Sequence, residues 1–341
     1  MDIHNHTPWA AGITVVIDKD AAEHVVFAMK GTWAIAENGR LTLLEKQPPL
    51  RPVDEFHGEP GKSSIRYAAE LGPARPATDV ALVGHALAPG GRATASMDVS
   101  LRVGPLTKQV KVIGDREWTG LGAMRFMGPA KSFAKMPLVY ENACGGSDAT
   151  PGNEKARGRD ARNPVGRGYK ASGSKLDWSD LAPPNLEEPG KAFGGPGTKL
   201  PPPAGFGFIG RDWEPRLQYA GTYDDEWTKT RLPLLPRDFD ERFHNAAHPD
   251  LVAPGFLKGG EPVEVRGCTR SGELTFTLPA ERPVVEARFR DTREPVPMHL
   301  EQVLIDTDAM QLELVWKGDV LAHGRVPELA FFECTREGGR R

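Results

Sequence analysis

The stretch "DERFHNAAHPDL", Asp240 to Leu251, gathers residues suited to metal chemistry. His244 and His248 stand four apart, the spacing at which one helix face offers two imidazoles to zinc, and Asp238, Asp240, Glu241 and Asp250 add carboxylates. A metal-dependent hydrolase would use such a set to activate water. Two neighbours oppose that reading. Asn245 stands where a metalloprotease helix carries its general-base Glu, and Pro249 ends any helix directly after His248. No third ligand is fixed by the spacing, so the expectation is no metal and no cofactor.

Other spacings fall short for reasons of local geometry. Gly205-x-Gly207-x-x-Gly210 matches the dinucleotide fingerprint, with Asp224 and Asp225 near the ribose-binding distance. That motif needs a strand before it and a helix after it, whereas "PPPA" precedes and "RDWEPR" follows. In "GEPGKSS" (58–64) only two residues separate Gly58 from Gly61, too few for the phosphate-cradling loop. There is no GxSxG elbow, and Cys144 in "NACGGSD" has no identifiable His/Asn partners. Together these point away from an enzyme.

The elements that would carry any site are mostly strands. Period-two alternation marks "ITVVID" (13–18), "HVVFAMKGTWAIA" (24–36) and "LTLLE" (41–45), the last two joined at Asn38-Gly39. "DVALVGHAL" (79–87), "SMDVSLRV" (96–103) and "KQVKVIG" (108–114) continue the pattern. So do "EPVEVRG", "ELTFTL", "VVEARFR", "MHLEQVLID" and "MQLELVW" near the C-terminus. The predicted fold is mainly β, an antiparallel sandwich or distorted barrel with long ordered Gly/Pro-rich loops. One domain over 1–341 is expected: strands in 1–140, a loop-rich region in 141–261, and strands again in 262–341. The 38 Gly and 31 Pro suit that loop-rich design.

Charge and cysteine usage narrow the setting. Lys and Arg number 43 against 46 Asp and Glu, a net charge of -3, which asks for neither nucleic acid nor an anionic membrane. Cys144, Cys268 and Cys334 lack CxxC spacing, which fits a reducing compartment. "MDIHNHTPWAAG" lacks a basic segment followed by an apolar core, and no apolar run approaches the roughly 20 residues of a bilayer span. The expected location is cytoplasmic. Residues 154–175 carry seven Lys/Arg against Glu154 and Asp160, either a docking patch for an acidic partner or a solvated loop.

Loops this long usually carry function. "NPVGRGY" and "PAGFGFIGRDWEPRLQYAGTYDDEW" supply Asn163, Pro164, Arg167, Tyr169, Phe206, Arg211, Trp213, Tyr223 and Trp227, residue types prominent at interfaces or in rigid turns. They are the candidate partner-binding residues. The same aromatics would equally serve to pin loops onto the sheets.

Taken in order, the segments resemble one family. They are 61–92, 97–118, "FAKMPLVYENACGG" (133–146), "RNPVGRGY" (162–169), "PPNLEEP" (183–189), 203–227, "RLPLLPRDFDERFHNAAHPDL" (231–251) and "LKGGEPVEVRG" (257–267). The succession is similar to a domain-of-unknown-function family encoded beside type VI secretion spike (VgrG) and PAAR-like proteins. The resemblance implies a non-catalytic adaptor or chaperone that binds a type VI effector, through a PAAR-like or N-terminal targeting region, and helps load it onto the spike. It also places His244 and His248 where that family has a Phe-Asn-Ala-Ala-Pro type segment, positions that need not be histidine. The alternatives are a metal-dependent hydrolase using Asp238, Asp240, His244 and His248, and a spike component that leaves the cell. Oligomeric state and cargo are not set by these residues.

Overall fold

A computed structural model describes residues 2–120, 125–152, 158–196, 198–322 and 324–336. The alternating segments form strands as expected, and three open sheets hold most of them. The largest has the order Ala10–Ile17, Glu23–Ile35, Gln311–Leu321, His299–Asp306, Asp79–Val83, with Leu41–Leu43 also paired to Glu23–Ile35. A second runs Leu186–Glu187, Leu106–Ile113, Ser96–Val103, Pro262–Arg266, Glu273–Thr277. The third runs Asp2–Asn5, Leu329–Arg336, Pro283–Phe289, Arg293–Val296. The outcome is a sandwich-like arrangement, with no closed barrel among the described strands.

Strands from the two ends of the chain share these sheets. Glu23–Ile35 pairs antiparallel with Gln311–Leu321, and Ser96–Val103 pairs with Pro262–Arg266. The N-terminal and C-terminal strand regions therefore interleave instead of standing apart. The expected strand 79–87 is two short ones, because Gly84 adopts φ +149 and sits hard against Thr307, where a Cβ would meet its hydroxyl at 2.0 Å.

Alternation divides the large sheet into two unlike faces. Val25, Phe27 and Met29 share one face with Leu312, Leu314, Trp316, Val303 and Ile305, and all belong to the main apolar core. Phe27 stacks on Phe332 of the third sheet at 4.9 Å, and Trp9 meets Trp316 at 5.1 Å. The opposite face carries Lys30, Asp79, Glu301, Glu313 and Lys317, yet these are buried too. The segment following Leu43 lies over them. Lys30 donates to Glu70 at 2.8 Å and to the Pro49 carbonyl at 2.6 Å, and Arg51 forks onto Glu313 at 2.5 and 2.8 Å. Arg51 also pairs with Glu70.

A second part of this polar layer is closed by loops. Arg75 pairs with Asp79 at 3.3 Å, and Lys317 with Glu301 at 3.4 Å. Asn245 and the Ala246 amide donate to Asp79 at 2.9 and 2.7 Å. Burial raises the pKa of Glu70 and of Glu301, and lowers that of Lys317. Each of these groups has an oppositely charged partner, and deleting one side of such a buried pair costs about 3–5 kcal/mol.

Candidate binding surface

The two histidines that stand four apart do not share a helix. His244 ends the short 3-10 turn Glu241–His244, and His248 caps the next one, Pro249–Leu251. They face separate clefts. His244 lines one of about 160 Å³ with His24, Asp18 and Asp319, while His248 lines another of about 250 Å³ with Tyr140, Glu188 and Asp250. Burial lowers both pKa values to about 4, so both rings are neutral at pH 7. His248 Nδ1 accepts the Asp250 amide at 3.2 Å, and His244 Nε2 lies 3.1 Å from Glu241.

Glu188, His248 and Asp250 do present one ligand atom each within 4.8 Å of one another. The buried Lys108 ammonium is already there, donating to Glu188 at 2.6 Å and Asp250 at 3.0 Å. A resident cation on the chain thus neutralises the carboxylates that a metal would need. The cluster does structural work, tying the strand Leu106–Ile113 to the loops that cross it.

The other motifs resolve into packing. Phe208, inside the Gly205–Gly210 run, makes isolated bridges to Ile65 and Ala247, so the run is extended chain laid beside others. Gly205 is needed because a Cβ there would meet the Tyr140 ring at 2.7 Å. Residues 58–62 are exposed and run into the buried Ser64; Ser63 accepts the Gly58 amide at 2.9 Å and Lys62 meets Glu59 at 3.0 Å. Cys144 is buried and its thiol is pushed up to about 12 by burial, the reverse of nucleophile activation.

The nine candidate residues fall in several places. Asn163, Phe206 and Trp213, expected among the partner-binding residues, are buried within the chain. Asn163 donates to the Tyr140 and Cys144 carbonyls at 2.8 and 3.0 Å, and Trp213 packs edge-on to Tyr140 at 5.7 Å. These side chains pin loops, because a rigid loop needs internal anchors before it can present anything. Arg167 and Tyr169, beside the half-buried Pro164, line a polar cleft of about 620 Å³ with Gly145, Gly146 and Arg116. Arg167 is committed to the Glu141 carbonyl at 3.0 Å and Asn185 at 2.6 Å. Arg211 is exposed, 3.8 Å from Asp54.

Tyr223 and Trp227 do sit together at the surface. Their rings meet at 4.7 Å, Asp224 caps the helix Asp225–Thr230, and Tyr223 remains 52% exposed. Within the basic stretch, Arg159 pairs with Asp212 and Arg162 with Asp160, and Lys170 donates to the Leu176 carbonyl. Lys155 and Arg157 lie outside the described residues.

The strand Ala10–Ile17 is a surface that residue-type reasoning passed over. It forms one edge of the large sheet and pairs on one side only, with Glu23–Ile35. Among the described residues no backbone hydrogen bond reaches its outer side. Its sequence, "AAGITVVI", contains no charge and no proline, and Val15 and Ile17 are 43% and 56% exposed. Edge strands are usually blunted by charge, proline, a bulge or a cover. The signal was readable: an uncharged, β-branched run at the start of the sheet.

Residues 20–317 match the family described as "Uncharacterized protein conserved in bacteria (DUF2169)". The chain belongs to DUF2169. No curated protein and no solved structure matches it significantly. In this DUF2169 chain the match takes in all the segments of 61–267 and both histidine clefts apart from Val16, Ile17, Asp18 and Asp319. The bare strand Ala10–Ile17 precedes the matched span, while its partner Glu23–Ile35 lies within it. No helix of the described residues is long and apolar enough to cross a membrane.

Proposed function

We propose that this DUF2169 protein is a non-catalytic adaptor that holds an extended segment of a type VI secretion effector, in its PAAR-like or N-terminal targeting region, and assists its loading onto the VgrG spike from the cytoplasm. The resemblance of segments 61–267 supports the setting. The observation that carries the binding reading is the bare edge Ala10–Ile17. An unpaired strand edge offers a row of main-chain donors and acceptors, and an incoming strand completes them while its alternate side chains meet Val15 and Ile17. A partner so held has its own edge covered, which stabilises it by mass action.

The test is a pull-down of tagged protein from cells expressing the neighbouring secretion genes, with mass spectrometry of what co-purifies. Wild type should retain one effector or PAAR-like protein. Val15→Lys with Ile17→Lys should reduce that recovery about tenfold or more, since charge on an edge opposes strand addition. Recovery of the tagged chain alone, with the partners shown to be present, would sink the adaptor reading. Equal recovery by the double variant would move the interface elsewhere.

A further inference from the structure

Five cationic side chains are buried in the described structure: Lys30, Arg75, Lys108, Arg216 and Lys317. Four have a carboxylate within ion-pair distance: Glu70, Asp79, Glu188 and Glu301 respectively. Arg216 differs. It is only 7% exposed, and its guanidinium donates to two backbone carbonyls, Phe243 and Ile209, each at 2.8 Å. No described carboxylate ion-pairs with it; Asp79, the strongest attracting charge, is already engaged by Arg75, Asn245 and the Ala246 amide.

Arg216 lines a cavity of about 160 Å³. The other walls are Ile209, Pro215, Ala247, Pro249 and Val252, with Tyr219, Arg242 and Asn245 also lining it; the Asn245 side-chain amide already donates to the Ala77 carbonyl and Asp79, each at 2.9 Å. Arg242 lies over the Tyr219 ring at 4.4 Å and is paired with Asp240 at 2.5 Å. A buried guanidinium has five N–H donors, and two carbonyls do not neutralise its charge. An apolar slot with one uncompensated cation in its wall is complementary to an aliphatic group ending in an anion.

We propose that this cavity is a binding site for a carboxylate on a short branched aliphatic stem, with Arg216 pairing with the carboxylate and Ile209, Pro215 and Val252 packing on the stem. Carboxylate fits better than phosphate, because five of the walls are aliphatic or proline and few donors remain to satisfy a dianion. Burial lowers the Arg216 pKa to about 10, the direction expected of a cation whose counter-ion is missing. The same chemistry is offered by a free branched-chain acid and by the C-terminus of a polypeptide ending in Leu. The site is independent of the bare edge, so either can fail alone.

The experiment is ligand titration of the full chain followed by NMR, with isovalerate, its neutral analogue isovaleramide, inorganic phosphate, and acetyl-Gly-Leu as free acid and as amide. Isovalerate should half-saturate on the order of millimolar, in keeping with so small a ligand. Isovaleramide should bind at least about tenfold more weakly, as loss of a charged hydrogen bond implies. Arg216→Met should weaken isovalerate by a similar factor. Val252→Phe, which fills the slot and leaves Arg216 in place, should do the same with the dispersed spectrum of a folded protein. Tighter binding of acetyl-Gly-Leu acid than of isovalerate assigns the site to a chain terminus; the reverse assigns it to a free acid. The proposal is overturned if isovaleramide or phosphate binds as well as isovalerate, or if nothing binds at concentrations roughly tenfold above the expected value.

Discussion

The two outer strands of the large sheet are treated in opposite ways. Along Asp79–Val83, Leu82 donates to the Phe206 carbonyl at 3.0 Å, Asp79 bridges Val252, and the Ala253 amide reaches Thr78 at 2.9 Å. The loop-rich region is spent on covering that edge and on closing the charged face beside it. Along Ala10–Ile17 the described chain supplies no such cover, although the strand is longer and free of charge. Covering one edge and leaving the more adhesive one bare separates a region built for stability from a region available for pairing. The same contrast recurs among buried cations, four internally compensated and Arg216 not.

The largest effect should come from the covered face. Glu70→Ala strips Lys30 and Arg51 of a shared carboxylate and should cost about 3–5 kcal/mol in urea unfolding. Val15→Lys with Ile17→Lys, on the bare edge, should stay within about 0.5 kcal/mol per substitution. Comparable losses in both would mean that the edge is packed in solution and would erase the contrast.

Next in size is acid sensitivity beneath the loops. His244 and His248 have pKa values lowered to about 4, while the unfolded chain takes up protons near 6.5. Their contribution is complete above pH 6.5 and is lost as pH falls towards 4, up to about 3 kcal/mol for each ring. His248→Gln should flatten unfolding free energy between pH 6.5 and 4.5, roughly the interval between those two values. An unchanged slope would show that burial does not hold the ring neutral.

The hairpin beside the bare edge should respond with the opposite sign and more weakly. Burial opposes charge on His24, but hydrogen bonds to Asp319 at 2.6 Å and Asp18 at 3.2 Å prevail and raise its pKa above 6.5. That stabilisation is full below pH 6.5 and lost as pH rises through the raised value. His24→Gln should lower stability more at pH 6 than at pH 9, measured by urea titration. Equal losses at the two pH values would argue for packing instead of charge.

Much of the architecture was legible. Alternation in "HVVFAMKGTWAIA" and "MQLELVW" marks strands whose even and odd residues separate, and the observed register honours it. What alternation could not say is that Lys30 and Lys317 face inward beneath a lid. A lysine on the polar side of a strand ordinarily faces water, and only the segment bearing Pro49, Glu70 and Pro73 reverses that. The candidate binding residues were less legible, since aromatic content does not distinguish Phe206, wholly buried, from Tyr223, half exposed. Composition likewise hid Arg216, which has backbone carbonyls but no described carboxylate at ion-pair distance.

By itself the sequence determined most of the strands, their apolar faces and the DUF2169 membership, because those depend on period-two patterning and on the order of segments along the chain. Tertiary structure decided which edge is covered, that Lys108 stands among Glu188, His248 and Asp250, and that His244 and His248 part into separate clefts. These depend on loops that bring together residues from about 80 to more than 200 positions apart, Lys108 with Glu188 and His24 with His244 among them, and local spacing carries no record of such encounters.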